Sequence, residues 1–276
     1  MLNRTQSKFI ITTLMAFMLS VVSTLSMAKT VQHELGTVTF EQTPKRVVVL
    51  DWALAESVLA LGVQPIAAAD VKGYQDWVGS PALPSDTIDV GSRREPNLEL
   101  IASLKPDLIL MSGHLAPAYE KLNAIAPTIA MSIYNDKQQP YENAKSLVTM
   151  LGEVFNKQEQ AKSVIAQTEK KLADNGAKVA QLNNGKPFLM VRFIGDKHVR
   201  VHSTGSLMND TISLCRLKIA GMVQLTVGGF LLRVLNSLPS IKTVTCLFLV
   251  RLPSKSKRNL TRLHCGEPWH FHENIA

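Results

Sequence analysis

Apolar residues in this chain fall into short uninterrupted runs that alternate with longer stretches of helical spacing. Val38-Thr-Phe40, Arg46–Leu50, Pro65–Ala69, Leu108–Met111 and Thr128–Ser132 are too short for helices and read as strands, most of them buried on both faces. Between them, Leu54–Leu61, Leu98–Leu104 and Ala118–Ile125 set their apolar residues three and four apart, the spacing of a helix with one face inward. Asn97 is placed to cap the second of these helices, and Pro106 to stop it. Tyr141–Phe155 and residues 157–182 follow as helices, the latter long, amphipathic and rich in Lys, Gln, Glu and Ala. Asn183-Asn-Gly-Lys-Pro187 ends it, after which Phe188–Phe193 and Val199–His202 begin a second sheet. Ser203–Ser206 then turns the chain into a helix at Leu207. Buried strands alternating with helices predict an α/β fold with a parallel sheet and right-handed crossovers.

The first 28 residues follow a different rule. Arg4 and Lys8 precede an apolar stretch from Phe9 to Val22, and Ser26-Met27-Ala28 has the small-x-small form of a cleavage site. This is the pattern of a secretory signal, and the apolar stretch is short for a membrane span. No cysteine follows it, so the expected product is exported without a lipid anchor.

Charge and cysteine then divide the chain near Thr211. The net charge is +8, but residues 212–276 hold nine Lys/Arg against two Glu, so the preceding part is close to neutral. A nucleic-acid partner is therefore not expected, because the basic character belongs to the tail. All three cysteines, Cys215, Cys246 and Cys265, also lie in that tail, while the cysteine-free body suits an oxidising compartment. Beyond residue 211 capping and alternation become irregular and acidic residues nearly vanish.

The most informative segment is Asp89–Leu110, a strand end, an exposed Gly91-Ser-Arg93-Arg94 turn, a capped helix, a Lys-Pro-Asp turn and a buried strand. Together with Lys45–Asp51 and the helix that begins near Ala53, it resembles the first lobe of periplasmic siderophore-binding proteins, nearest to the iron(III)-hydroxamate binders of ABC importers. The resemblance runs from about Thr30 to Thr211. It implies two α/β lobes joined by one long helix: an N-terminal lobe over residues 29–155, the linking helix over 156–183, and the start of a second lobe over 184–211, left incomplete. It also implies a monomer in the periplasm that holds a ferric hydroxamate siderophore and delivers it to an inner-membrane permease. A corrinoid or another iron chelate is the alternative ligand. Iron would arrive already chelated, so neither a cofactor nor a protein metal ligand is expected.

Site residues follow by the same resemblance. Arg93 matches the position that contacts the siderophore, and a guanidinium suits that task because it offers several donors in a fixed fork. Trp52 and Trp77 match aromatic positions of the cleft, where flat apolar area is gained at little entropic cost. A tyrosine of the family matches Leu115 here, and His114 is the candidate to replace part of its role. Glu120 matches an acid that docks on the permease. Arg94 is read as solvated or paired with Glu95.

In this light residues 212–276 read as an out-of-frame tail. Codons chosen for Leu225–Phe230 and read from the third nucleotide encode Asp-Gly-Trp-Gly-Phe, and the same offset in Leu235–Cys246 and His264–Trp269 also yields segments like those of the family's second lobe, in order. The chain as written is thus expected to be inactive in transport and poorly packed in its tail. An enzyme is not expected, since no nucleophile with a base, Walker loop or pair of catalytic carboxylates appears. The His264, Cys265, His270 and His272 group falls in the tail and lacks a capped scaffold for a metal.

Overall fold

The structure is a computed structural model that describes residues 28–183, 185–194, 198–220, 230–234 and 245–249. The predicted signal segment and most of the stretch after Ala220 lie outside the described residues. No helix among the described residues is long and apolar enough to cross a membrane.

The first lobe is built on a parallel sheet of five short strands in the order β5-β4-β3-β6-β7. They are β3 (Val47–Val49), β4 (Ala67–Ala68), β5 (Ile88–Asp89), β6 (Leu108–Met111) and β7 (Thr128–Ala130). Register pairs such as Val49↔Leu110 and Leu110↔Ile129 carry the period-two alternation across the sheet. Val47, Val49, Leu108, Leu110 and Ile129 face one apolar cluster, and Val48, Leu50, Ile109 and Met111 face another. Helices α1 (Trp52–Ala60) and α5 (Pro140–Val154) cover the first face through Leu54, Val58, Leu147 and Leu151. Helices α3 (Leu98–Ser103) and α4 (Tyr119–Asn123) cover the other through Ile101 and Leu122. Uniformly apolar strand runs are the consequence of a sheet covered on both sides.

Two elements of this lobe are not among those predicted. Strand β1 (Lys29–His33) pairs antiparallel with β2 (Gly36–Phe40) and closes one side of the core with Val31, Val38 and Phe40. Helix α2 (Val71–Trp77) starts at Asp70, whose carboxylate accepts from Gly73 N–H at 3.1 Å. The Ala118–Ile125 helix is preceded by a 3-10 turn over Gly113–Ala118, as Pro117 would remove an α-helical donor there.

Helix α6 (Gln158–Asn183) is the predicted linking helix, 26 residues and so about 39 Å long at 1.5 Å per residue. It lies against α5 where Gly152 leaves room for Ala161, and a Cβ on Gly152 would stand 2.8 Å from that side chain. Lys145 of α5 reaches Glu169 of α6 at 3.1 Å, and the Tyr141 hydroxyl donates to the same carboxylate at 3.2 Å.

The second sheet has the order β10-β9-β8-β11, from β8 (Phe188–Ile194), β9 (His198–His202), β10 (Phe230–Val234) and β11 (Thr245–Leu249). It is mixed rather than parallel. β8 and β9 are antiparallel neighbours because residues 195–197 are too few for a crossover. Helix α7 (Leu207–Leu214), capped by Ser206 onto Asn209 N–H at 3.1 Å, packs Ile212 with Phe188 and Met190.

Regular packing runs past the Thr211 boundary drawn from the sequence. Leu217 and Ile219 join the same apolar cluster, Phe188 N–H donates to Lys218 O at 2.7 Å, and Ala220 N–H donates to Phe188 O at 2.7 Å. Strands β10 and β11 also pair in the second sheet, and the remainder of the tail lies outside the described residues.

Candidate functional site

A group of charged and aromatic side chains gathers at the C-terminal ends of β3, β4, β6 and β7, where open parallel sheets present ligands. Asp51 follows β3 and caps α1, its Oδ1 accepting from Ala53 N–H at 2.9 Å. Its Oδ2 accepts from the Ser112 hydroxyl at 3.1 Å, at the end of β6. That hydroxyl is 2.7 Å from His114 Nδ1, and His114 Nε2 is 2.9 Å from the Arg93 carbonyl oxygen. With the hydroxyl donating to Asp51, His114 links the end of β6 to the Arg93 backbone through its two ring nitrogens.

Arg93 lies at the centre. Its guanidinium carbon stands 3.5 Å from the centroid of the Trp52 ring, and its Nε is 3.5 Å from Asp70 Oδ2. Trp52 Nε1–H donates to the Asp70 carbonyl at 3.3 Å, so one residue anchors both halves of the stack. Asp70 occupies the left-handed region (φ 55°), which lets its carboxylate cap α2 while its carbonyl faces Trp52. A guanidinium stacked in this way keeps in-plane donors for acceptors such as hydroxamate or carboxylate oxygens.

The predicted residues separate into distinct settings. Trp52 is half-buried beneath Arg93, and His114 is exposed and holds the Arg93 backbone. Trp77 closes α2, is 54% exposed, and is met from the second lobe by Arg192, whose guanidinium carbon is 5.2 Å from the ring centroid. Leu115 turns into the core and is buried with Leu122 and Ile101, so nothing at that position reaches the cleft. Glu120 is exposed in the first turn of α4, on the lobe's surface. Arg94 is exposed, its backbone N–H donating to the Ser92 hydroxyl at 3.1 Å.

Sequence reading missed Asp70, Ser112, Tyr134 and Arg192. Asp70 was legible as a cap before a glycine three residues on, whereas Ser112 and Arg192 carry no local signal. Tyr134 follows β7 and is 47% exposed. Its hydroxyl is pushed up by desolvation, then by Asp210 and Glu56. Glu56 is itself raised, first by burial and then by Asp51. Burial, with a smaller effect of Glu56, pushes Tyr74 up to about 12, and its hydroxyl donates to Pro81 O at 2.7 Å. Among the described residues no cluster of His, Cys, Asp and Glu has a metal-holding arrangement.

Known proteins resemble this chain in sequence and fold. The FhuD iron(3+)-hydroxamate-binding protein of Escherichia coli K12 is 34% identical over 169 residues, 61% of this chain and 56% of that protein. The Fe(3+) dicitrate-binding periplasmic protein FecB of the same strain is 37% identical over 150 residues, 53% of this chain and 48% of that protein. The chain thus spans about half the length of these curated relatives. Among solved structures, the Fe3+–Desferal-bound siderophore-binding protein FhuD from Vibrio cholerae superposes with a TM-score of 0.72 at 28% identity, covering 75% of this chain and 79% of that one. Residues 47–224 match the family described as periplasmic binding protein, and the chain belongs to that family.

Proposed function

We propose that the chain is the substrate-binding component of an ABC importer for ferric siderophores, working outside the cytoplasm as a monomer, with hydroxamate chelates as its ligand class. The observation that carries this reading is Arg93, stacked on Trp52 and steered by Asp70 and His114 at the strand ends of a two-lobed α/β fold. Relatives with matching segments are named for binding iron(3+)-hydroxamate and Fe(3+) dicitrate. Binding requires no bond from protein to iron: Arg93 donates to oxygens of the chelate while Trp52 and Trp77 give it apolar area. Glu120, exposed on the first lobe, is the proposed docking acid for the permease. The role is capture and delivery, not catalysis.

Titration with a ferric hydroxamate and with its iron-free form, followed by tryptophan fluorescence, tests the reading. Saturable quenching by the ferric form at micromolar concentration or below is expected. No quenching by any ferric chelate would remove it.

We further propose that the reading frame is offset in the tail, with the junction beyond Ala220: the family match ends at residue 224 and the contiguous packing against β8 reaches Ala220, although β11 pairs with β8 again further along the chain. The chain as written then lacks the second-lobe tryptophan and acid that the offset frame and the resemblance supply, and does not support transport. Sequencing the gene from independent isolates across codons 205–230 is expected to show an inserted or deleted nucleotide. An identical uninterrupted frame in every isolate, with iron uptake restored by the chain as written, would overturn this.

A further inference from the structure

The turn that carries Arg93 is fastened firmly at its ends and lightly at its middle. At one end Gly91 bridges Pro96, Gly91 N–H donates to Asp89 Oδ1 at 2.8 Å, and Asp70 N–H donates to Gly91 O at 2.7 Å. At the other, Asn97 N–H donates to Val90 O at 2.8 Å. Between them, from Ser92 to Glu95, the main chain makes a single hydrogen bond to another element among the described residues. It joins the Arg93 carbonyl oxygen to His114 Nε2 at 2.9 Å. His114 is exposed, and an exposed ring keeps its rotamer freedom unless a bond removes it.

The bond that removes it comes from Ser112, which is buried. This serine stands at the N-cap of the Gly113–Ala118 3-10 turn with extended backbone (φ −99°, ψ 162°), yet its side chain caps nothing. A serine in that position ordinarily accepts a main-chain N–H of the first turn. Here Gly113 N–H donates instead to the Ser132 hydroxyl at 2.8 Å. The Ser112 hydroxyl donates to Asp51 Oδ2 at 3.1 Å and stands 2.7 Å from His114 Nδ1. Asp51 is fixed in turn, because its other oxygen caps α1. A continuous chain, Asp51–Ser112–His114–Arg93, thus runs from the end of β3 through the end of β6 to the middle of the turn.

We propose that Ser112 and Asp51 are positioning residues for ligand binding, acting through His114 on the Arg93 main chain. This rests on the siderophore reading, in which Arg93 is the contact, and identifies what sets the geometry of that contact. Trp52 and Asp70 constrain only the tip of the arginine. A turn whose middle drifts swings the guanidinium donors off the oxygens of the chelate, and ordering them again on binding costs affinity. Stability alone gives little reason for a serine to leave its own turn uncapped and reach an exposed histidine, because water competes for such a partner.

The test is a double-mutant cycle on the full chain, with ferric desferrioxamine B titrated by tryptophan fluorescence. Ser112→Ala is expected to weaken binding about fivefold, the scale of one net hydrogen bond, and Ser112→Thr, which keeps the hydroxyl, to stay within about twofold of the parent. Asp51→Asn, which keeps an oxygen for the α1 cap but turns an amide toward the serine, should fall with Ser112→Ala. In an Arg93→Ala background both losses should shrink to less than about twofold, because the group being positioned is gone. Should Ser112→Ala fail to fold, His114→Ala, at an exposed position, carries the same cycle. Full affinity in Ser112→Ala, or a loss of equal size with and without Arg93, would overturn the positioning role while leaving the siderophore reading intact. No saturable quenching of the parent chain would overturn both.

Discussion

Arg93, the proposed ligand contact, shows how a single side chain is held in place before any ligand arrives. An exposed arginine in a glycine turn has many rotamers, and ordering it on binding would cost on the order of 1 kcal/mol. Here Trp52 and Asp70 fix the guanidinium while His114 holds the backbone, so part of that cost is met on folding. Arg93→Ala is expected to weaken ferric-siderophore binding by about 1.5–3 kcal/mol, the range for hydrogen bonds to a charged group. Fluorescence titration checks it, and unchanged affinity would take Arg93 out of the site. His33 has a different purpose. It is buried in β1, and its Nδ1 accepts from the N–H groups of Leu35 at 3.2 Å and Ala130 at 3.4 Å, an arrangement only the neutral ring permits. Burial pulls its pKa below 6.5 against the opposing pull of Glu34, and His202 is lowered too. The unfolded chain therefore binds more protons than the folded one as acid is added. The stability these rings contribute is complete above pH 6.5 and is lost as pH falls from there through their folded values. Urea midpoints measured between about pH 8 and pH 5 should fall with acid. His33→Gln should flatten part of that slope; an unchanged slope would exclude His33 as its source.

Gly176 carries the corresponding argument for elements. It sits on α6 where the backbone of Cys215, at the end of α7, closes onto the helix, and a Cβ there would lie 2.6 Å from Cys215 Cα. Alanine raises helix propensity by about 1 kcal/mol, but overpacking against backbone costs about 1–3 kcal/mol and cannot be relieved by a rotamer. Gly176→Ala should therefore lower the melting temperature, and a raised one would show that α7 shifts freely. Elements with their own local signals were legible in the sequence. Asn97 and Ser206 cap the helices they were expected to cap or precede, and β6 and α6 appear within two residues of their predicted bounds. Others were hidden because tertiary partners define them. In α2 only Tyr74 is buried, so no apolar stripe announces the helix. In β1 the inward positions are Val31 and His33, and a histidine inside breaks the alternation that would mark a strand. The candidate site was half legible: the proposed contacts Arg93, Trp52 and Trp77 stood in recognisable motifs. Arg192 became visible only when the second lobe was seen to face Trp77.

At the scale of the whole molecule the two lobes are joined by more than the chain. Helix α5 begins with Gln139 and Pro140, and Gln139 offers no side-chain cap. The missing acceptor comes from the second lobe: Asp210 of α7 accepts from Tyr141 N–H at 3.1 Å, placing a carboxylate at the positive end of α5. With the Lys145–Glu169–Tyr141 contacts, this locks α5, α6 and α7 into one scaffold behind the cleft. A scaffold of packed helices resists the wide hinge motion of binding proteins joined by flexible strands, so ligand should change the molecule's dimensions little. Asp210→Ala removes the cap from the opposite lobe and is expected to cost about 1 kcal/mol in stability, while Asp210→Asn, which keeps an acceptor, should cost less. Small-angle scattering with and without ferric siderophore gives the decisive reading. The parent chain should keep its radius of gyration within error, and Asp210→Ala should show a larger radius without ligand that contracts when ligand binds. A parent chain that itself contracts markedly on binding would mean that α6 acts as a hinge, and the account of a rigid spine would fail.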